Sequence, residues 1–196
     1  MLILLSVLGA CTPQPETLSP LATDATILAF GDSLTAGTGA ATGSSYPTQL
    51  AALSGRQVIN AGVPGELSSQ GLARLPSVLD EHQPHLLILT HGGNDMLRRM
   101  DVEQTRNNLS AMIQLARERG MEVLLVAVPA PTVLRLRSEA IYGEIAEAFG
   151  IPVENGALAR ILSRDAMKSD PIHPNADGYR YLAEHIHRLL METGAL

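Results

Sequence analysis

The chain has 196 residues, of which 45% are hydrophobic and 17% are charged, and this composition excludes an intrinsically disordered protein. Its net charge of −6 and the absence of a basic run argue against a nucleic-acid partner. A single cysteine excludes a disulfide framework and a multi-cysteine metal site. At roughly 100–200 residues per domain, the length predicts one domain.

The first residues resemble a bacterial secretion signal. The apolar run is too short to span about 30 Å of hydrocarbon, and it ends in Leu8-Gly9-Ala10-Cys11, which resembles a lipobox. We therefore expect a signal peptide over 1–10, a lipidated Cys11, a proline-containing tether over 11–25 and one domain over 26–196. The protein would then be periplasmic and held at a membrane surface through Cys11. The alternative is an ordinary signal that leads to a secreted or periplasmic protein without a lipid.

Five apolar runs predict β-strands with helices between them. Since consecutive residues in these runs are apolar, each strand is expected to be covered on both faces, as in a parallel sheet. The helical spacing i, i+3, i+4, i+7 is clearest for Leu109, Met112, Ile113 and Ala116. The alternation predicts an α/β domain. The predicted strands are Thr26–Phe30, Gln57–Asn60, Leu86–Thr90, Val123–Val128 and Ile151–Glu154.

Polar residues and glycines follow three of these strands, at the sheet edge where open α/β sheets bind ligands. Ser33 comes directly after the first strand, where a strand-to-helix turn presents its hydroxyl. Glycines after the second strand expose backbone N–H groups, and two glycines before Asn94 turn its amide toward the same crevice. Each motif alone is also typical of a helix cap or a plain turn.

Near the C-terminus, Asp170 and His173 lie three positions apart in a segment stiffened by Pro171 and Pro174. This spacing allows the carboxylate to reach the imidazole and fix its tautomer, which leaves the other ring nitrogen free to accept a serine proton. The other five histidines, including His91 near the predicted site, receive no catalytic role.

In this order, the four motifs resemble the four blocks of the SGNH (GDSL) hydrolases, and the arylesterase, acyl-CoA thioesterase I and lysophospholipase L1 group most of all. The resemblance implies a three-layer α/β/α flavodoxin-like fold with a central parallel sheet of about five strands. It also implies that Ser33 is the nucleophile, that His173 is the general base and that Asp170 orients it. The oxyanion donors would be the N–H groups of Ser33 and Gly65 and the side chain of Asn94. Gly62 competes with Gly65 for this role.

The resemblance implies a serine esterase without metal or cofactor that hydrolyses esters or thioesters of small aryl, acyl or lipid substrates. Substrate choice would come from loops over the site, predicted at Ser68–Leu79 and Pro131–Ser138. The alternatives are an O-acetyl esterase acting on envelope or exported polysaccharide and a non-catalytic envelope lipoprotein. A nucleotide site in the glycine-rich stretch 37–43 is disfavoured, because that stretch has one residue too many for G-x-G-x-x-G.

Overall fold

The computed structural model describes residues 16–130, 137–138 and 140–196, so the predicted signal peptide and Cys11 lie outside the described residues. A parallel five-stranded sheet forms the centre, in the order β2-β1-β3-β4-β7, and β5 and β6 form a separate antiparallel pair. The strands are β1 (Thr26–Gly31), β2 (Gln57–Gly62), β3 (Leu86–Thr90), β4 (Glu122–Val126), β5 (Pro129–Ala130), β6 (Arg137–Ser138) and β7 (Val153–Glu154).

Helices flank the sheet, with α2 packed against α8 and α3 packed against α5. The helices are α1 (Ser33–Ala36), α2 (Tyr46–Ser54), α3 (Ser68–His82), α4 (Gly93–Leu97), α5 (Val102–Glu118), α6 (Ala140–Phe149), α7 (Ala157–Leu162), a 3₁₀ turn (Asp165–Met167) and α8 (Ala176–Glu192). These elements confirm the predicted three-layer architecture with a parallel sheet of five strands.

The prediction of a substrate loop over Ser68–Leu79 is wrong, because this stretch is the body of α3. Leu75 and Leu79 are buried against the core, so burial of an apolar stripe favours the helix there. Of the second predicted loop, residues 131–136 lie outside the described residues, and 137–138 form β6.

The chain order places a ligand crevice between β1 and β3. From β1 the chain crosses to β2 on one side, and it then returns past β1 to β3. In open α/β sheets such a reversal separates the loops that follow the two strands and opens a crevice at their carboxyl ends. Every residue of β3 is buried, and so is every residue of β1 after the first, so the centre of the sheet is a rigid base for the loops above it.

The described part of the predicted tether, 16–25, packs along the opposite edge, where the strands begin. The N–H of Leu18 donates to Thr193 O at 2.9 Å, and the N–H of Ser19 donates to a carboxylate oxygen of Glu122 at 3.0 Å. The Leu18 side chain is buried. Within the described ranges, no helix combines the length and the apolarity needed to cross a bilayer.

Candidate active site

Ser33 lies at the carboxyl end of β1, as the first residue of α1. The preceding residue, Asp32, caps this short helix, because its Oδ1 accepts the N–H of Leu34 at 3.0 Å. The close approach of β1 and β3 requires Gly31, since a Cβ there would lie 2.0 Å from Thr90 O. The Ser33 N–H donates to no group within the described residues.

Asp170, His173 and Ser33 form one hydrogen-bonded series. Ser33 Oγ lies 3.0 Å from His173 Nε2, and His173 Nδ1 lies 2.7 Å from Asp170 Oδ2. The other carboxylate oxygen of Asp170 accepts the N–H groups of Ile172 and His173, both at 2.9 Å. A carboxylate on Nδ1 holds the proton there, so the unprotonated Nε2 faces the serine hydroxyl.

Hydrogen bonding keeps Asp170 ionised. Burial opposes the charge, but the hydrogen bonds from the His173 side chain and from the two N–H groups outweigh it and hold the pKa of Asp170 below its ordinary 3.8. The carboxylate therefore stays a hydrogen-bond acceptor for His173 at and below neutral pH.

Gly39 allows the loop that carries His173 to reach β1. Its φ of +94° lies in the left-handed region, and a Cβ would lie 2.2 Å from Ser169 Oγ and 2.7 Å from Pro174 O. Tyr179 on α8 donates its hydroxyl to Thr38 O at 2.8 Å and so fixes the segment that contains Gly39. Local backbone space at Gly39 therefore sets the distance between the serine and the histidine.

The amide of Asn94, in the first turn of α4, points toward the same crevice. Its Nδ2 donates to Glu66 O at 3.0 Å and to Asp32 Oδ2 at 3.3 Å. Burial raises the pKa of Asp32 above its ordinary 3.8, and the hydrogen bond from the N–H of Leu34 opposes this shift. The amide is thus held between a backbone carbonyl and a buried carboxyl group.

The two glycines considered as donors differ in the structure. The N–H of Gly62 already donates to Asn60 Oδ1 at 3.0 Å. Gly65 has a φ of +79°, and its N–H donates to no group in the part of the chain that the structure describes. The geometry therefore favours Gly65 over Gly62 as a donor to a ligand.

A small apolar hollow adjoins Ser33. Its volume is about 40 Å³, and its walls come from the α1 turn, α4, the end of β4, α7 and the loop of His173. Few polar groups line it apart from those already described, as is usual for a pocket that binds an apolar group. The apolar side chains that line it are Leu34, Leu97, Val128, Pro129, Leu162, Pro171 and Ile172.

The remaining histidines do not approach the serine. His85 accepts the N–H of Thr26 at 3.2 Å at the start of β1, and His185 lies 3.8 Å from Glu154. Among the described residues, no three His, Cys, Asp or Glu side chains are arranged to hold a metal ion.

Sequence reasoning missed three residues behind the site. Asp32 holds Asn94 through its carboxylate, Glu66 holds it through its backbone carbonyl, and His91 is fully buried against the Glu66 carboxylate at 3.2 Å. The available signal was position, because Asp32 directly precedes Ser33 and Glu66 directly follows Gly65. No sequence pattern indicates the pairing of His91 with Glu66.

Comparison with known proteins places the chain in a family. Residues 29–181 match the model of the GDSL-like lipase/acylhydrolase family. Thioesterase 1/protease 1/lysophospholipase L1 of Escherichia coli K12 is 34% identical over 166 residues, which are 81% of this chain and 80% of that protein. The arylesterase of Vibrio mimicus is 31% identical over 176 residues, 85% and 88% of the two chains. The solved structure of TesA superimposes with a TM-score of 0.77 at 31% identity and covers 86% of this chain and 99% of its own.

These findings confirm the resemblance seen in the sequence motifs, and the family match spans all five strands except the first three residues of β1. The chain belongs to the GDSL-like lipase/acylhydrolase family, the SGNH hydrolases, and is a carboxylic ester hydrolase.

Proposed function

We propose that this protein is a serine esterase in which Ser33 is the nucleophile, His173 the general base and Asp170 the residue that orients His173. The observation that carries the proposal is the series Ser33 Oγ–His173 Nε2 at 3.0 Å and His173 Nδ1–Asp170 Oδ2 at 2.7 Å. Nucleophile, base and orienting acid at these distances are the arrangement that acyl transfer through a serine requires.

The reaction proceeds through two acyl transfers. Ser33 Oγ attacks the carbonyl carbon while His173 Nε2 takes the hydroxyl proton, and the same proton then passes to the departing alcohol or thiol. Water attacks the resulting acyl-enzyme with His173 again as base, which releases the acid and restores the serine. Asp170 stabilises the imidazolium that forms in both steps and remains ionised.

The N–H groups of Ser33 and Gly65 and the amide of Asn94 would stabilise the oxyanion in both steps. The two N–H groups have no acceptor among the described residues, so they are available to the carbonyl oxygen of the substrate. Asn94 must release one acceptor to join them. Its contact with Asp32 Oδ2, at 3.3 Å, is longer than its contact with Glu66 O, at 3.0 Å. The Asn94 amide hydrogen that points to Asp32 is therefore the one that becomes available to the oxyanion.

The size of the hollow supports a short acyl group. One water needs on the order of 10–15 Å³ of such space, so about 40 Å³ offers room for a group the size of about three to four waters, which favours a short acyl chain. Relatives are described as an arylesterase and as a thioesterase and lysophospholipase, which indicates that ester and thioester substrates both suit this site. A small acyl pocket also supports the second candidate, an O-acetyl esterase acting on envelope or exported polysaccharide.

Hydrolysis of p-nitrophenyl esters from C2 to C16, with Ser33→Ala as control, tests the proposal. We expect activity that peaks between C2 and C4 and disappears in Ser33→Ala. An optimum at C8 or longer would contradict the short-acyl assignment and favour lipid substrates. Activity that survives in Ser33→Ala, or a folded wild-type protein inactive on every ester, would contradict the serine mechanism.

A membrane anchor at Cys11 is the second part of the proposal. Residues 16–25 pack along the edge where the strands begin, so only residues 12–15 separate the lipid from the domain, a reach of about 17 Å. The crevice at the opposite edge would then face away from the membrane. Membrane fractionation of wild type and Cys11→Ala tests this, with loss of membrane association expected in the variant. A variant that stays in the membrane fraction would contradict lipidation at Cys11.

A further inference from the structure

A partly buried ion-pair network lies directly behind the loop that carries Gly65. Arg74 on α3 contacts the Glu66 carboxylate with two nitrogens, at 2.7 Å to Oε1 and 2.8 Å to Oε2, and it donates to Ala61 O at 3.0 Å. The guanidinium also lies 4.2 Å from the ring centre of Phe30. Glu66 is thus a buried carboxylate held in the planar, two-pronged geometry that arginine provides.

His91 supplies the third contact of this carboxylate. Its Nε2 lies 3.2 Å from Glu66 Oε2, and its Nδ1 accepts the N–H of Gly92 at 3.0 Å. Because Nδ1 is an acceptor, the proton is on Nε2 and is donated to Glu66. The ring fits beside α3 only because Gly71 lacks a side chain, since a Cβ there would lie 2.4 Å from His91 Nε2.

The backbone of Glu66 connects this network to the proposed oxyanion donors. Its carbonyl accepts the Asn94 amide at 3.0 Å, and its own N–H follows directly after Gly65 in a turn closed on Val63 O at 3.2 Å. Fixing the Glu66 side chain therefore fixes both the carbonyl that orients Asn94 and the peptide beside the Gly65 N–H.

We propose that Glu66, clamped by Arg74 and His91, is the positioning residue of the oxyanion hole. This rests on the proposed function, because the oxyanion donors are those of the serine mechanism. A buried ion pair contributes little net stability compared with apolar side chains of the same volume. Here it holds a backbone segment in one orientation, and preorganised donors are the larger part of oxyanion stabilisation.

The variant Glu66→Gln tests the clamp with minimal change of shape. Both carboxylate oxygens of Glu66 accept N–H groups, Oε1 from Arg74 and Oε2 from Arg74 and His91. Whichever way the glutamine amide lies, its NH₂ group therefore meets at least one donor and breaks at least one of these bonds. We expect kcat to fall about 10–100-fold with KM nearly unchanged, a smaller loss than the roughly 10²–10³-fold loss for removing a donor. The matched control is Asp80→Asn, which changes an exposed carboxylate paired with Arg119, and it should leave kcat unchanged.

A double-mutant cycle separates positioning from general damage. If Glu66 acts in part through Asn94, then Glu66→Gln lowers kcat by a smaller factor in the Asn94→Ala protein than in wild type. Effects of the two substitutions that multiply independently would overturn the proposal. Thermal unfolding of each variant verifies that the fold persists.

A measurement independent of hydrolysis keeps the two proposals distinguishable. The side-chain amide signals of Asn94 in a ¹⁵N–¹H spectrum, assigned by their loss in Asn94→Ala, should shift in Glu66→Gln and stay in place in Asp80→Asn. Unchanged Asn94 signals in Glu66→Gln would contradict the positioning role even in an active enzyme. Shifted signals in a protein that hydrolyses no ester would support the clamp while contradicting the proposed function.

Discussion

The Nδ1 atom of His173 lies 2.7 Å from Oδ2 of Asp170, and the two residues belong to one short loop. The same carboxylate accepts two backbone N–H groups of that loop, at Ile172 and His173. Three hydrogen bonds thus hold the acid and the imidazole as one rigid unit, although 45% of the Asp170 side chain is exposed. The rigidity of the loop, rather than burial, keeps the imidazole aimed at Ser33.

Replacing Asp170 with asparagine should damage turnover far more than binding. The amide can donate to Nδ1, which favours the tautomer with its proton on Nε2, where it cannot accept from Ser33. In serine hydrolases the equivalent change costs about 10⁴-fold in kcat, and we expect a loss of about 10²–10⁴-fold here with KM nearly unchanged. Steady-state kinetics on a short p-nitrophenyl ester measures it. A loss below about fivefold would show that Asp170 does not set the tautomer.

The pH profile of kcat/KM should fall on its acid side with the slope of a single proton. His173 must be neutral to accept the serine proton, so activity decreases as pH decreases. Hydrogen bonds hold the pKa of Asp170 below its ordinary value, so this carboxylate adds no second proton to the fall in activity above about pH 5. A slope of two in that range would mean that a second group, Asp170 included, is protonated there.

Gly39→Ala should reduce activity by moving the His173 loop away from Ser33. The new Cβ meets Ser169 Oγ at 2.2 Å and Pro174 O at 2.7 Å, and a displacement of about 1 Å can cost 10²-fold in rate. Gly43→Ala is the matched control, because Gly43 has a similar φ of +86° with open space around its Cβ position. The control should carry only backbone strain of about 1–2 kcal/mol and nearly full activity. Equal activity losses in the two variants would contradict this explanation.

Protonation of the paired Glu66 carboxylate should make the protein less stable in acid. Burial opposes its charge, but the hydrogen bonds of Arg74 and His91 and the charge of Arg74 outweigh this and lower the pKa of Glu66 from 4.5 to about 2. A carboxylate whose pKa is lowered by folding stabilises the fold at pH values above its pKa in the unfolded chain. That contribution is lost as the pH falls from 4.5 toward 2. The pKa shift corresponds to about 3 kcal/mol of the free energy of unfolding at pH 7, and about 2 kcal/mol of this contribution is lost by pH 3.

Urea unfolding at pH 7 and pH 3 tests this for wild type and Glu66→Gln. The free energy of unfolding should decrease more between the two pH values in wild type than in the variant, by about 2 kcal/mol. Identical decreases in the two proteins would indicate that Glu66 is not strongly paired in the folded state.

Sequence patterns were sufficient for the sheet because β1, β3 and β4 are mainly apolar on consecutive residues, and β1, β2 and β3 are followed by polar or glycine-rich turns. The prediction failed at α3, where the family resemblance led us to expect a substrate loop although Leu72, Leu75 and Leu79 share a helical spacing. Gly71 is there because the His91 ring occupies the space of its side chain. That reason depends on a residue from a different strand exit, which no local pattern contains.

The candidate site also contains residues that sequence motifs predict and contacts that only the packed fold produces. Ser33, Asn94, Asp170 and His173 could be proposed because each lies in a short motif at a predicted strand end or C-terminal loop, and the structure brings all four together. The pairing of Glu66 with His91 joins positions 25 apart through packing of α3 against the sheet. The contact between His91 and Glu66 forms because the fold buries both side chains, and the burial of a histidine cannot be read from a single sequence.

Covalent labelling of Ser33 tests the central claim most directly. A fluorophosphonate reacts with a serine only when a neighbouring base activates the hydroxyl, so the labelled peptide identifies the nucleophile. After treatment of the wild-type protein, mass spectrometry should find one adduct, on the peptide that contains Ser33, and none in Ser33→Ala. An adduct on another residue, or an unlabelled Ser33 in the folded protein, would contradict the assignment of Ser33, His173 and Asp170 as the catalytic residues.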